Sequence, residues 1–289
     1  MTVTSEYHPV VIIGAPRSGT NMLRDALTRL PRVATWPCDE INYIWRHGNV
    51  RYPSDELRPE HASEPVCRYI HRQFDWVAHR FDAHTVVEKT CANSLRVPFI
   101  ERVVPEAKYV FIHRNGLDVV GSAMKRWKAE LDIPYLARKS RFVPASDLPY
   151  YAFRYFWNRV YRIWSREERL AFWGPQLHDM EELLQCYSLE EVCAIQWKRC
   201  VELSSEAFRS MPEGKVCTVR YETFVHRPQD ELARIVRFLG LPESGQALAG
   251  AVSGVTANSI GKGREELGDQ TAGRLAPLIE DVQIRLGYT

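Results

Sequence analysis

A short apolar strand that leads through a glycine-containing turn into a helix is the feature that most limits the fold of this chain. Val10–Ile13 is a β-branched apolar run, typical of a strand buried on both faces. Gly14-Ala15-Pro16-Arg17-Ser18-Gly19-Thr20 follows, and apolar residues at helical spacing then continue to Leu30, before Pro31. The backbone N–H groups of such a turn and the N-terminus of the next helix form a cradle for phosphate. The pattern predicts an α/β fold with an anion site.

Strands and helices alternate along the rest of the chain. Further strands are predicted at Arg32–Trp36, Thr85–Val87, Lys108–His113 and Lys215–Arg220, and helices at His61–Arg80, Ser94–Val104, Gly116–Trp127, Leu189–Met211, Pro228–Leu239 and Arg274–Leu286. This alternation predicts a P-loop-like three-layer sandwich, with a parallel central sheet and helices on both faces. Residues 128–187 fit least well and are rich in aromatic residues and proline. We interpret them as a helical insertion on the acceptor side of a single domain, 1–289.

Composition excludes several classes of protein. The 38 Lys and Arg residues nearly balance the 36 Asp and Glu residues, which disfavours a nucleic-acid binder. The sequence lacks a signal-peptide pattern and any apolar run long enough for a membrane helix, so we expect no membrane span and a cytoplasmic location. Seven cysteines without a CxxC pair argue against a disulfide framework and a zinc site, and we expect no metal.

The glycine turn differs from the loop that binds magnesium nucleoside triphosphates. Gly14 and Gly19 occupy the two glycine positions of Gly-x-x-x-x-Gly-Lys-[Ser/Thr], but Thr20 and Asn21 stand where Lys and Ser or Thr belong. The missing lysine contacts the β- and γ-phosphates, and the missing hydroxyl holds Mg²⁺. The turn is therefore predicted to hold a phosphate but not a magnesium triphosphate.

Pro16-Arg17-Ser18-Gly19-Thr20 resembles the 5′-phosphosulfate loop of sulfotransferases that use 3′-phosphoadenosine 5′-phosphosulfate (PAPS). The pattern of that family is Pro-[Lys/Arg]-Ser-Gly-Thr-Thr, in which the basic residue contacts the transferring sulfuryl group. Asn21 replaces the second threonine, although its amide can still donate a hydrogen bond to an oxygen. The resemblance implies that the 5′ end of the donor is bound by Arg17, Ser18, Gly19, Thr20 and Asn21.

A second motif follows the predicted strand Lys108–His113. In the family, Arg-[Asp/Asn]-x-x-Asp-x-x-x-Ser places an arginine and a serine on the 3′-phosphate, and Arg114 and Ser122 have this spacing. An arginine that leaves a strand at the ligand edge of a sheet can also bind phosphate through two parallel hydrogen bonds. The alternatives are an ion pair between Arg114 and Asp118 and a packing role for the Ser122 hydroxyl.

Two later segments extend the resemblance over most of the chain. Arg220-Tyr221-Glu222 is similar to the family's Arg-Tyr-Glu strand end, where Tyr221 either contacts the nucleotide or completes the core. Ser259-Ile260-Gly261-Lys262-Gly263-Arg264 resembles the late basic glycine loop that closes on the 3′-phosphate. The resemblance implies donor contacts from Ser259, Lys262, Gly263 and Arg264, and the alternative is a solvated loop.

Two acidic residues and one lysine complete the predicted site. Cys38-Asp39-Glu40 follows the second strand, and in the tyrosylprotein-type branch of the family a glutamate at the matching place is the general base. We assign that role to Glu40, with Asp39 as the rival and a structural ion pair as the alternative. Lys89 ends the third strand, where the family often has a lysine that reaches the leaving 5′-phosphate. The predicted catalytic residues are Glu40, Arg17 and Lys89.

The resemblance implies a PAPS-dependent sulfotransferase that releases PAP. The acceptor is expected to be a small or medium-sized molecule with a hydroxyl, or as a second choice an amine. The aromatic insertion favours an aromatic or lipid-like acceptor, whereas its basic residues would equally suit an anionic one. The alternatives are a non-catalytic protein that binds PAP or PAPS and a P-loop nucleotide kinase, which the absent lysine disfavours.

Overall fold

Five parallel strands form the sheet in the computed structural model, which describes residues 7–127, 141–153, 156 and 173–288. The strands are β1 (His8–Ile13), β2 (Val33–Ala34), β3 (Thr85–Lys89), β4 (Lys108–His113) and β5 (Val216–Arg220). Their order across the sheet is β2-β3-β1-β4-β5. All pairs are parallel, as the strand–helix alternation predicts.

Helices connect the strands. They are α1 (Thr20–Thr28), α2 (Asn42–Trp45), α3 (Glu64–Phe81), α4 (Val97–Val103), α5 (Gly116–Trp127), α6 (Met180–Cys186), α7 (Leu189–Arg209), α8 (Tyr221–His226), α9 (Pro228–Leu239), α10 (Gly245–Val252) and α11 (Lys262–Arg285). Short 3₁₀ helices lie at Pro59–His61 and Cys91–Leu95, and residues 148–153 are also helical. No helix in the described ranges is both long enough and apolar enough to span a membrane.

The two faces of the sheet are covered by separate hydrophobic clusters. Val11 and Ile13 of β1 pack in the cluster that contains α3, α4, α5, α7 and α11. Val10 and Ile12, which point the opposite way, pack in the cluster that contains α1, α9 and α10. Successive strand residues alternate between faces, so a strand covered on both sides needs a continuous apolar run. The predicted three-layer α/β sandwich is confirmed.

The strand order places the ends of the strands where a ligand can bind. The chain passes from β1 to one side of the sheet, through β2 and β3, and then crosses to β4 on the other side of β1. In open parallel sheets, the connections that diverge at such a reversal leave a crevice at the carboxyl ends of the strands. The glycine turn after β1, Lys89 at the end of β3 and Arg114 after β4 all lie at this edge.

Several predicted boundaries differ from the structure. The strand expected at Arg32–Trp36 is limited to Val33–Ala34, between two prolines at the outer side of the sheet. The helix expected at Ser94–Val104 is a 3₁₀ turn and α4, separated by Arg96 with φ −142° and ψ 32°. The sequence pattern does not predict helix α10, because its alanines and glycines give little apolar periodicity.

The last helix begins twelve residues earlier than the predicted Arg274, at Lys262. Gly261, with φ 77°, precedes its first turn, and Gly268, with φ 73° and ψ 158°, interrupts it. The two glycines and the polar residues between them hide the helix from a search for apolar periodicity. The prediction of a loop at these positions is therefore wrong. The first turn of α11 is formed by Lys262, Gly263 and Arg264.

The predicted insertion at 128–187 lies only partly in the described residues. Within them, the Tyr151 ring meets Tyr43 of α2 edge-on, with ring centroids 4.6 Å apart. His47 Nδ1 and Asp147 Oδ2 are 2.9 Å apart and join the same two segments. Many other aromatic and basic residues of the insertion lie outside the described residues, among them Tyr135, Arg138, Lys139, Arg154, Tyr155, Trp157, Arg159, Tyr161, Trp164 and Phe172.

Candidate functional site

The turn after β1 has the backbone geometry of an anion cradle. Arg17 and Gly19 both have positive φ, 69° and 93°, a combination that turns successive N–H groups toward one side. Ser18 between them is fully buried, and its Oγ has no hydrogen-bond partner in the described residues. A buried hydroxyl without a partner is costly, so this position fits a ligand oxygen. A Cβ atom at Gly19 would lie 2.5 Å from Tyr221 Cδ2, which explains the glycine.

Arg17 lies against the second motif. Its Nε donates to Ser122 Oγ at 2.9 Å, so residues predicted for opposite ends of the donor are in contact. Burial and the positive charges of Arg126 and Arg114 lower the pKa of Arg17. The prediction missed Arg126, although it lies one helical turn after Ser122 on α5. Three guanidinium groups of like charge near each other favour an anion between them.

Arg114 connects three parts of the site. Its Nη1 donates to the Arg17 carbonyl at 3.2 Å, and its Nη2 donates to the Ser259 carbonyl. Its guanidinium lies over the buried Tyr221 ring, 4.5 Å from the centroid, and Nη2 is 3.5 Å from Asp118 Oδ2. The alternative ion pair with Asp118 is thus present. The buried Nε still has no partner in the described residues, so one donor remains for a ligand.

Glu40 and Lys89 form an ion pair at the same edge of the sheet. Lys89 Nζ donates to Glu40 Oε1 at 3.0 Å, and the Cys91 N–H donates to the same oxygen at 3.3 Å. The rival Asp39 pairs with Arg24, at 2.7 Å from Nη1, and lies 3.5 Å from Lys89. Burial alone would favour a neutral amine at Lys89, but Glu40 and Asp39 raise its pKa above the ordinary value. Lys89 is therefore a buried, protonated lysine.

Backbone contacts fix this pair relative to the glycine turn. The Ile41 N–H donates to Thr90 Oγ1 at 3.2 Å, which ties the segment after β2 to the end of β3. Thr20 Oγ1 lies 3.6 Å from Cys91 Sγ, and burial raises the pKa of that thiol. Sequence reasoning missed Cys91, because its contact with the glycine turn depends on the neighbouring positions of β1 and β3.

A buried polar network lies next to Lys89. Asn93 donates to Glu88 Oε2 at 2.7 Å and accepts from Arg96 Nη2 at 2.7 Å. Arg96 is 3.6 Å from Asp55, which also pairs with Arg46 at 3.0 Å. The network connects the end of β3 to the segments around α2.

Glu88 gives a prediction about pH. Burial raises the pKa of its carboxyl to about 7, from the ordinary 4.5, even though Arg96 and Lys89 favour the charged form. The contribution of this group to stability is therefore fully present below about pH 4.5 and is lost as the pH rises through about 7. Relative to wild type, Glu88→Gln is expected to gain roughly 3 kcal/mol in free energy of unfolding between about pH 4 and 8. Chemical denaturation at both pH values measures this gain, and a constant difference between the two proteins would contradict it.

The remaining predicted residues lie around the same edge. Ser259 lies in the turn before α11 and contacts Arg114 through its carbonyl, while Gly263 is buried against α5. Asn21, Lys262 and Arg264 have exposed side chains. The structure therefore brings the motifs together, but the contacts of these three side chains with a donor stay predictions.

The chain resembles a known family in sequence and known structures in fold. The model of the sulfotransferase family matches residues 9–157 and 158–245. A comparison with curated proteins finds no match.

Among solved structures, the sulfotransferase domain from the curacin biosynthetic pathway has a TM-score of 0.53 and 13% identity, with 98% of each chain covered. Sulfotransferase STF9 from Mycobacterium avium has a TM-score of 0.55 and 11% identity, covering 98% of this chain and 78% of that one. Sulfotransferase STF1 from Mycobacterium tuberculosis has a TM-score of 0.55 and 14% identity, covering 94% and 77%. At these identities the likeness shows a shared fold.

Proposed function

Because the chain belongs to the sulfotransferase family, we propose that it transfers the sulfuryl group of PAPS to a hydroxyl of a small or medium-sized acceptor. The main observation in favour of PAPS as donor is the contact between Arg17 and Ser122, because it joins the glycine turn to the Arg114 motif. A ligand that satisfies both motifs needs one anionic group at each, as the 5′-phosphosulfate and the 3′-phosphate of PAPS provide.

The polar atoms at this edge fit such a donor. Ser18 Oγ and Arg114 Nε are buried and have no partner in the described part of the chain, so each can bind a ligand oxygen. Thr20 and Asn21 stand where a magnesium-nucleotide loop has its lysine and its metal-binding hydroxyl. Both observations support an anionic donor that is bound without a magnesium ion.

The chemistry is assigned to the residues around Lys89. As the acceptor oxygen forms its bond to sulfur, the bond from sulfur to the 5′-phosphate oxygen breaks, and the acceptor proton passes to the Glu40 carboxylate. Lys89, which is protonated, and Arg17 stabilise the negative charge on the leaving phosphate oxygen. Transfer of a proton to a positioned base contributes about 10²- to 10⁴-fold to rate. The products are the sulfated acceptor and PAP.

The acceptor is the least constrained part of the proposal. Tyr43 of α2 lies close to Glu40 in the chain, and its ring packs edge-on against that of Tyr151. Aromatic side chains present flat apolar surfaces, and this supports an acceptor with an aromatic or lipid-like part. We also propose a cytoplasmic location for the protein.

Incubation with radiolabelled PAPS and a panel of phenols, alcohols, amines and lipid-like hydroxyls tests the function. Label transferred to an acceptor, with a mass increase of one SO₃ and release of PAP, supports it. Binding of PAP and PAPS without transfer to any acceptor in the panel or in a metabolite extract would instead indicate a sensor. Phosphoryl transfer from ATP with Mg²⁺ would indicate a kinase.

A further inference from the structure

A buried carboxylate on α5 holds the turn that leads into α11. Asp118 is 3% exposed. Its Oδ2 accepts from the Gly261 N–H at 2.8 Å, and its Oδ1 accepts from the N–H groups of Gly263 and Arg264 at 3.1 and 3.2 Å. The first N–H groups of a helix have no partner within the helix. One side chain from α5 thus satisfies three of the backbone donors around the start of α11.

The backbones of the two helices touch at this point. A methyl group added to Gly121 would overlap the Gly263 carbonyl, and one added to Gly263 would overlap the Asp118 carbonyl. The two backbones are in close contact there, so a shift of one helix against the other would disturb the carboxylate contacts. The position of residues 259–264 relative to α5 is therefore set by Asp118 and this glycine contact.

The same carboxylate reaches the arginine of the second motif. Asp118 Oδ2 is 3.5 Å from Arg114 Nη2, which also donates to the Ser259 carbonyl. Arg114 is thereby held between the turn before α11 and the start of α5. Because hydrogen bonds to charged groups are stronger than neutral ones, this arrangement restricts the orientation of the guanidinium.

The negative charge of Asp118 is unfavourable next to an anion site, so the contacts of its carboxylate need an explanation. A carboxylate repels phosphate, so it would weaken binding if it faced the ligand. Here both of its oxygens are used by backbone N–H groups and by Arg114. The contacts of Asp118 are therefore with the groups that shape the site, and its main effect on a ligand is expected to come through them.

We propose that Asp118 is a positioning residue that builds the 3′-phosphate site, and that through Arg114 and the Ser259 turn it makes the enzyme select 3′-phosphorylated nucleotides. The inference rests on the proposed function, since it takes PAPS as donor. It predicts that loss of the carboxylate harms the recognition of the 3′-phosphate more than the recognition of the adenosine or of the 5′ end.

The test compares the affinities of PAP and of 5′-AMP, which lacks the 3′-phosphate, by calorimetry on the full chain. We expect Asp118→Asn to weaken PAP binding by about 10- to 100-fold and AMP binding much less. The KM for PAPS is expected to rise by a similar factor, with a smaller fall in kcat at saturating donor. Gly121→Ala, which keeps the charge but displaces Gly263, is expected to lower the preference for PAP as well.

A matched control separates positioning from stability. Asp55→Asn alters another buried carboxylate that accepts from a backbone N–H and pairs with arginines, so it is expected to lower the melting temperature without changing the ratio of PAP to AMP affinity. The ratio is measured in each of the variants Asp118→Asn and Gly121→Ala that folds. If the folded variants keep the wild-type ratio of PAP to AMP affinity, Asp118 is only structural and the inference is wrong. A wild-type protein that shows no preference for PAP over AMP would overturn the proposed donor instead.

Discussion

Replacing Glu40 with glutamine is expected to lower turnover by about 10²- to 10⁴-fold, because the acceptor proton then has no base to accept it. Glutamine keeps the size of the side chain and a carbonyl oxygen for the Lys89 and Cys91 contacts. Donor affinity should therefore be unchanged. Steady-state kinetics with a saturating acceptor measure the loss, and calorimetry with PAP verifies that the donor site is intact.

Asp39→Asn is the matched control for Glu40. Asp39 neighbours Glu40 in the chain and also lies near Lys89, but its closest ion pair is with Arg24. We expect a much smaller loss of turnover from this change. Near-full turnover in Glu40→Gln, together with a large loss of turnover in Asp39→Asn, would indicate that Asp39 is the base.

Replacing Arg114 with alanine is expected to weaken PAP binding by about 10²- to 10³-fold, since truncating one member of a buried charge pair costs several kcal/mol. The change removes the Nε donor that our proposal assigns to the ligand and leaves Asp118 without its cation. It also breaks the contacts with the carbonyls of Arg17 and Ser259. Calorimetry with PAP measures the loss directly.

Arg220→Ala is a close control for Arg114. Arg220 ends the neighbouring strand β5, stacks on Tyr288 at 4.2 Å and pairs with Glu222 at 3.6 Å. It therefore has the same kinds of contact as Arg114, but it is not among the residues predicted to contact the donor. Its replacement should leave PAP affinity close to that of wild type. Equal losses in the two variants would argue against a specific role for Arg114.

The parts of the fold that sequence predicts well are those set by local chemistry. β4 and α9 begin and end at the predicted residues, and α5 begins at the predicted Gly116, because each has a clear apolar pattern and a glycine or proline at or near its start. The proximity of Glu40 to Lys89 also follows from local features, since both come after parallel strands and such strands end at one edge of a sheet.

The parts that sequence does not predict depend on contacts between distant elements. Asp118 can be seen in the motif, but its bonds to Gly261 and Gly263 require α11 to pack against α5. The proximity of Arg126 to Arg17 and of Cys91 to Thr20 likewise depends on how the helices and strands pack. Neither hydrophobic periodicity nor residue spacing reports such contacts.

The connection from Arg114 to the carbonyl of Arg17 has a consequence for how variants of this enzyme should be sorted. In our proposal the side chain of Arg17 contacts the sulfuryl group. The carbonyl of Arg17 accepts a hydrogen bond from Arg114, which the proposal assigns to the 3′-phosphate at the other end of the donor. If those roles hold, donor affinity and chemical rate are expected to change together in this protein. Substitutions that loosen the nucleotide end should also disturb the alignment of the reacting atoms, so selection for weaker product inhibition by PAP would tend to reduce turnover as well.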